Sequence, residues 1–168
     1  MNQVSPSSPQ GRVVSVHINQ DGGVPKPSVP QAQLTKTGVE GDKQRDRRYH
    51  GGPERAVCLY GRERMEALQA EGHPIAPGST GENLLIEGVA WDAMQPGVRL
   101  TVGDARLEIA SYTAPCKTIA QSFVDGAFKR ASQKVNPGWS RVYARVLQEG
   151  VVKAGDRVQV EEPQPQAQ

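Results

Sequence analysis

"GVRLTVGDARLEIASY", residues 97 to 112, is the stretch on which the fold turns. Val98, Leu100 and Val102 alternate with polar neighbours, Gly103-Asp104 supplies a turn, and Leu107 and Ile109 resume the alternation. A side-chain period of two on either side of a Gly-Asp turn is the pattern of a β-hairpin with one buried face. Similar short runs lie outward from it. "GRVVSVHI" (11–18) reads as a first strand, with Val13, Ser15 and His17 opposed to Val14, Val16 and Ile18. "AVCLY" (56–60) suits a buried strand with Cys58 at its middle, and "GENLLIEG" (81–88) another. "SRVYARVLQEG" (140–150) and "DRVQVEE" (156–162) are final strands, with "KAGD" turning between them. The segment "NQDGGVPKPSVPQAQLTKTG" reads as a long loop, because its three prolines oppose regular hydrogen bonding.

The clearest helix is "GRERMEALQAEG" (61–72), in which Met65 and Leu68, joined by Gln69, share a face and Gly72 is a stop. "CKTIAQSF" and "VDGAFKRASQKV" allow one or two short helices more. Many short strands with few helices predict a mainly β protein, a closed or nearly closed β-barrel with minor helices. The alternative is an open α+β sandwich. A doubly wound parallel sheet does not fit, because strands and helices do not alternate.

The chain has 168 residues, enough for one domain with a real core. "MNQVSPSSPQ" and "EEPQPQAQ" have little to bury, so the sequence predicts flexible tails at 1–10 and 162–168 around a single domain at 11–161. The net charge of +2 comes from interspersed groups of both signs and does not point to nucleic acid as a partner. No apolar run reaches the ~18 residues of a membrane span, and the N-terminus lacks a signal-peptide core. These features predict a cytoplasmic protein without a membrane partner. In a reducing cytosol Cys58 and Cys116 are not expected to pair, and no Cys/His spacing marks a zinc site.

Cys116 follows Pro115 where an apolar strand gives way to "KTIAQSF". If that run starts a helix, its backbone amides and the Lys117 ammonium both favour negative charge at the sulfur. Such a thiolate serves equally as nucleophile, sulfur carrier or soft-metal ligand, and a small buried hydrophobe is the competing reading. Cys58 lacks these features and reads as core. "GVEGDKQRDRRYHGGPERAV" (38–57) packs Lys43, Arg45, Arg47 and Arg48 with Asp42, Asp46 and His50 into a Gly-bounded loop. Arginines there suit phosphate or carboxylate, Gly51 and Gly52 permit close backbone approach, and His50 can move a proton. A solvated charged loop accounts for the same residues about as well. Glu82 and Asn83 stand at a turn entering a strand and either cap it or face a pocket. His17, His50 and His73 do not form a metal pattern; His73 reads as surface, and Trp91 and Trp139 as packing.

Four segments in order, "GVEGDKQRDRRYHGGPERAVCLY", "GENLLIEG", "APCKTI" and "ARVLQEGVVKAGDRV", resemble the MOSC domain family, named for the C-terminal domain of molybdenum cofactor sulfurases. The nearest likeness is to its stand-alone bacterial, YiiM-like branch, over roughly Gly11 to Val160. The resemblance implies a β-barrel related to that of pyruvate kinase. It also implies that Cys116 is the family's signature cysteine, which handles sulfur or ligates molybdenum. Molybdenum cofactor (molybdopterin) carries a dithiolene and a phosphate. Cys116 would take the metal, and Arg45, Arg47, Arg48, Gly51, Gly52, Glu82, Asn83 and Lys117 the rest of the cofactor. Pyridoxal phosphate is not expected, because the sulfurase domain that binds it has no counterpart here.

By this resemblance the leading expectation is an oxidoreductase reducing small N-hydroxylated compounds, such as hydroxylated purine analogues. Asp46 or His50 would supply the proton lost with water, and partner redox proteins the electrons. The alternatives are a sulfur carrier with a persulfide on Cys116 fed by a desulfurase, and a non-catalytic module that binds an anion. A homodimer is a further expectation.

Overall fold

The computed structural model describes residues 11–43 and 52–161. The expected tails, 1–10 and 162–168, lie outside the described residues. The elements run β1 (Gly11–His17), β2 (Ser28–Val29), β3 (Gln31–Thr35), β4 (Gly38–Val39), β5 (Val57–Gly61), α1 (Arg62–Ala70), β6 (Leu84–Glu87), β7 (Arg99–Val102), β8 (Ala105–Tyr112), β9 (Val142–Gln148), β10 (Gly150–Lys153) and β11 (Arg157–Val160). Five short 3-10 segments complete them, at Pro53–Arg55, Trp91–Ala93, Lys117–Ser122, Val124–Gly126 and Phe128–Ala131.

The hairpin at 97–112 forms as its alternation requires. Val102 pairs with Ala105 across Gly103-Asp104, and Leu100 pairs with Leu107. Leu100, Val102, Leu107 and Ile109 are all buried, while Arg99 and Thr101 are exposed. From this hairpin the sheet extends both ways, in the order β11-β7-β8-β9-β5-β6-β1, and the pairing of β11 with β1 closes it. The result is a closed mixed barrel, in which β5 and β6 are parallel and the other neighbours antiparallel. Closure gives every barrel strand a neighbour on both sides. The open α+β sandwich is not the fold.

Five local expectations differ from what forms. The predicted loop at 19–38 contains β2, β3 and the start of β4, and β3 pairs with both β4 and β10 in a second small sheet. Pro30 sits between β2 and β3, so it interrupts without preventing either. β10 occupies the stretch expected to lead straight into a turn. The strict alternation of β1 fails at a register shift between Val13 and Ser15, which lets Val13 and Val16 both enter the core. The short helices after Cys116 are 3-10 turns. α1 buries Met65 and Leu68 as its spacing predicts, whereas Gln69 stays exposed.

His73 is not merely surface. Its Nδ1 accepts the Val124 N–H at 3.0 Å, and its ring packs edge-on to Phe123. Trp91 is buried and donates Nε1–H to the Ser140 carbonyl at 2.9 Å. The guanidinium groups of Arg64 and Arg130 both lie over the Trp139 ring, 4.7 and 4.0 Å from its centroid.

Candidate functional site

A cleft of about 800 Å³ opens on one side of the barrel, a size ordinary for a small-molecule or cofactor site. Four parts of the chain build it, one of them the stretch with Arg55 and Cys58 at and before β5. Another is the loop after β1, with Gly23, Val24 and Lys26, joined by Lys43 from the segment after β4; a further one is the turn Thr80–Gly81 with Asn83 just before β6. The last comprises the run from Ala114 to Ile119, together with Arg141 and Tyr143 of the chain entering β9.

Cys116 is exposed in this cleft, at the N-cap of the Lys117–Ser122 turn, with Lys117 beside it. Pro115 blocks regular pairing beyond β8 and the chain turns there, which presents the thiol at the surface. Cys58 also lines the cleft, but it is buried, and burial pushes its thiol up to about 11. It therefore stays neutral, as the core reading of Cys58 requires. Cys58 faces Tyr143 across β5 and β9, and burial pushes the Tyr143 phenol up to about 12. The Arg55 guanidinium lies over that phenol ring, 5.6 Å from its centroid.

Among the described residues five cations line the cleft: Lys26, Lys43, Arg55, Lys117 and Arg141. Among its described lining residues there is no carboxylate. Lys26 is paired behind the wall with Asp42, whose side chain is 1% exposed. Asp42 also accepts from the Asn19 backbone at 2.8 Å and from Asn83 Nδ2 at 2.9 Å. Arg141 is 7% exposed, and its Nη1 donates to the Thr80 carbonyl at 2.5 Å.

Among the sequence-predicted site residues, Cys116, Lys117 and Asn83 share this cleft. Asn83 is a buried tie, since its Oδ1 accepts from Cys58 N at 3.0 Å and its Nδ2 donates to the His17 carbonyl at 3.1 Å. Glu82 is not part of the lining. It is fully buried and braces the turn before β6, accepting from Gly78 N at 2.9 Å and Thr80 Oγ1 at 2.8 Å. Gly52 is also not part of the lining. Arg45, Asp46, Arg47, Arg48, His50 and Gly51 lie outside the described residues. Lys43 before them and Arg55 after them both line the cleft.

Sequence reading missed Arg141, Tyr143, Arg55 and Lys26. A signal was present for the first two. In "SRVYARV" the apolar positions Val142, Ala144 and Val146 form one face, and Arg141 and Tyr143 fall together on the other.

Among the described residues, no cluster of three or more His, Cys, Asp or Glu is placed to hold a metal ion. A metal held through the Cys116 thiolate alone must bring its other ligands with it. A dithiolene cofactor does that, and its phosphate suits a cleft lined by cations. The residues present therefore fit molybdenum cofactor.

The MOSC domain model matches residues 46–159, and the chain belongs to the MOSC domain family. It is 28% identical over 142 residues to the uncharacterized protein YflK of Bacillus subtilis, covering 84% of this chain and 63% of that protein. It is 34% identical over 99 residues to YiiM of Escherichia coli, covering 55% and 43%. A protein of Gibberella moniliformis named a reductase is 32% identical over 136 residues, covering 77% of this chain and 24% of that one. The chain thus spans less than two thirds of the length of each of these relatives. The crystal structure of YiiM from Geobacillus stearothermophilus shares the fold, with a TM-score of 0.67 at 24% identity, covering 90% of this chain and 75% of that one. Over part of its length the chain is thus a MOSC domain similar in sequence to YiiM. No helix among the described residues is long and apolar enough to cross a membrane.

Proposed function

We propose that this chain binds molybdenum cofactor through Cys116 and reduces small N-hydroxylated compounds with electrons from partner redox proteins. The observation that carries the reading is the exposed Cys116 thiol inside a cleft lined by five cations. When bound, the cofactor supplies a metal that accepts oxygen from the substrate and cycles two electrons. The protein's part is to hold and orient. Cys116 offers one soft ligand, the cations of the cleft offset the anionic cofactor, and the neutral Cys58 and Tyr143 form an uncharged wall beside it. The sequence similarity to a protein named a reductase favours redox chemistry over passive binding.

The test is reduction of an N-hydroxylated purine analogue by protein purified from a cofactor-producing host, with a chemical electron donor. Activity is expected in the loaded wild type, and its loss is expected after demetallation and in Cys116→Ser. Full activity in demetallated protein would overturn the reading.

A further inference from the structure

Tyr143 and Arg145 share the face of β9 opposite to that of Val142, Ala144 and Val146. The Pro53–Arg55 turn packs against β8 and β9. Two consecutive side chains of this turn meet the two residues of that face. Glu54 accepts from Arg145 Nε at 3.1 Å and also from its Nη2. Arg55 lays its guanidinium over the Tyr143 ring, 5.6 Å from the centroid.

Arg145 is itself the end of a charge ladder across three strands. Arg99, Glu108 and Arg145 stand side by side on β7, β8 and β9. Glu108 accepts from Arg99 Nε at 2.7 Å through one oxygen and from Arg145 Nη1 through the other. The bond from Arg99, joined by that from Arg145, holds the Glu108 carboxyl below its usual range. With Nη1 committed to Glu108, Arg145 turns Nε and Nη2 to Glu54. The Glu54 side chain is 68% exposed, so this pair adds little to the stability of the fold. A guanidinium held between two carboxylates does fix a direction, and the residue whose place it fixes is the next one, Arg55.

Arg55 is half-buried and lines the cleft together with Tyr143 and Cys116. Burial is the main cause of the raised Tyr143 phenol. Charge on the Cys116 sulfur raises it further and the Arg55 guanidinium lowers it, so the phenol lies within electrostatic reach of both. We propose that Glu54 is a positioning residue: anchored by Arg145 outside the cleft, it holds Arg55 over Tyr143 and so sets the field that a ligand meets at Cys116. Loss of the anchor lets Arg55 move away from the thiol. The inference rests on the cleft being the ligand site of the proposed function.

Cys116 is the reporter, in metal-free, full-length protein. Its alkylation rates with anionic iodoacetate and with neutral iodoacetamide are measured at pH 8 and read at each cysteine by peptide mass spectrometry. Their ratio reports the field at the thiol, because the reactivity of the thiolate itself cancels. Arg55→Ala should lower the ratio about two-fold or more. Glu54→Ala is the decisive variant, because the two explanations of it have opposite signs. As a surface charge alone, Glu54 repels iodoacetate and its loss raises the ratio. As a positioning residue, its loss moves Arg55 and lowers the ratio, again about two-fold. Glu54→Ala should melt close to the wild type, so loss of the fold does not account for the change. In an Arg55→Ala background Glu54→Ala should no longer lower the ratio. A raised or unchanged ratio in Glu54→Ala overturns the proposal. So does an unchanged ratio in Arg55→Ala, or a fall of equal size when Glu54→Ala is added to Arg55→Ala. The assay uses neither cofactor nor substrate, so failure of molybdenum ligation is read separately from failure of the positioning.

Discussion

Asn83 and Cys58 hold each other by two hydrogen bonds. The Asn83 backbone N–H donates to the Cys58 carbonyl at 2.7 Å, and the Cys58 N–H donates to Asn83 Oδ1 at 3.0 Å. This closed pair sits where parallel strands β5 and β6 begin, at the cleft wall. The same Asn83 side chain reaches His17 and Asp42, so one buried amide joins β1, β5, β6 and the segment after β4, whose Asp42 pairs with Lys26.

Asn83→Ala leaves the Cys58 N–H and the His17 carbonyl short of a partner inside the protein. A loss of about 2–4 kcal/mol is expected, read as a fall of roughly 5–15 °C in melting temperature. Asn83→Asp should be no better, because its carboxylate would meet that of Asp42, which now receives an Asn83 N–H. A melting temperature unchanged in both variants would contradict the tie.

The two cysteines should separate cleanly in reactivity. Cys116 is exposed and Cys58 is 5% exposed with its thiol held neutral. Iodoacetamide at pH 8 is expected to add one group to the folded chain, at Cys116, and a second only on unfolding. Peptide mass spectrometry reads both sites. Rapid labelling of Cys58 in the native state would contradict the placement.

Stability should fall in base for a stated reason. The Cys58 thiol is raised from an ordinary 9.0 to about 11 in the folded chain. Between those values the unfolded chain has lost a proton that the folded chain keeps, so unfolding gains as pH rises. The contribution is fully present below pH 9 and is lost by about pH 11, on the order of 2–3 kcal/mol. Tyr143, raised from 10.0 to about 12, extends the loss upward. Denaturant unfolding from pH 8 to 11 measures it, and Cys58→Ala should flatten the slope.

Gly61→Ala tests the packing of β5 against the turn at Trp91. Gly61 has an extended backbone, φ −90° and ψ 129°, that alanine accepts. A Cβ there would lie 2.9 Å from Trp91 Cε3, so the indole must shift. A cost of about 1–3 kcal/mol is expected, with a change in tryptophan fluorescence as the ring moves.

Much of the barrel was legible because its strands carry their own period. The hairpin at 97–112 declares register and turn within sixteen residues, and α1 shows its Met65–Leu68 face. What was hidden depends on partners distant in sequence. β3 looks like loop until β10, more than 110 residues later, pairs with it as Gly150 with Leu34. Asn83 reads as a turn cap until His17 and Cys58 arrive around it. Cys116 stood out locally through Pro115 and Lys117, while Arg141 and Arg55 looked like ordinary strand and loop cations. They join Cys116 in one cleft only when β5 and β9 pair side by side.

Elemental analysis for molybdenum bears on Cys116 as the metal ligand without any assumption about the substrate. Wild type and Cys116→Ser would be purified side by side from a host that makes the cofactor, with a known molybdoenzyme from the same cells as a check on supply. Close to one molybdenum per chain is expected in the wild type, and its loss in Cys116→Ser. Wild type without molybdenum beside a fully loaded check enzyme, or equal loading in both forms, would contradict it.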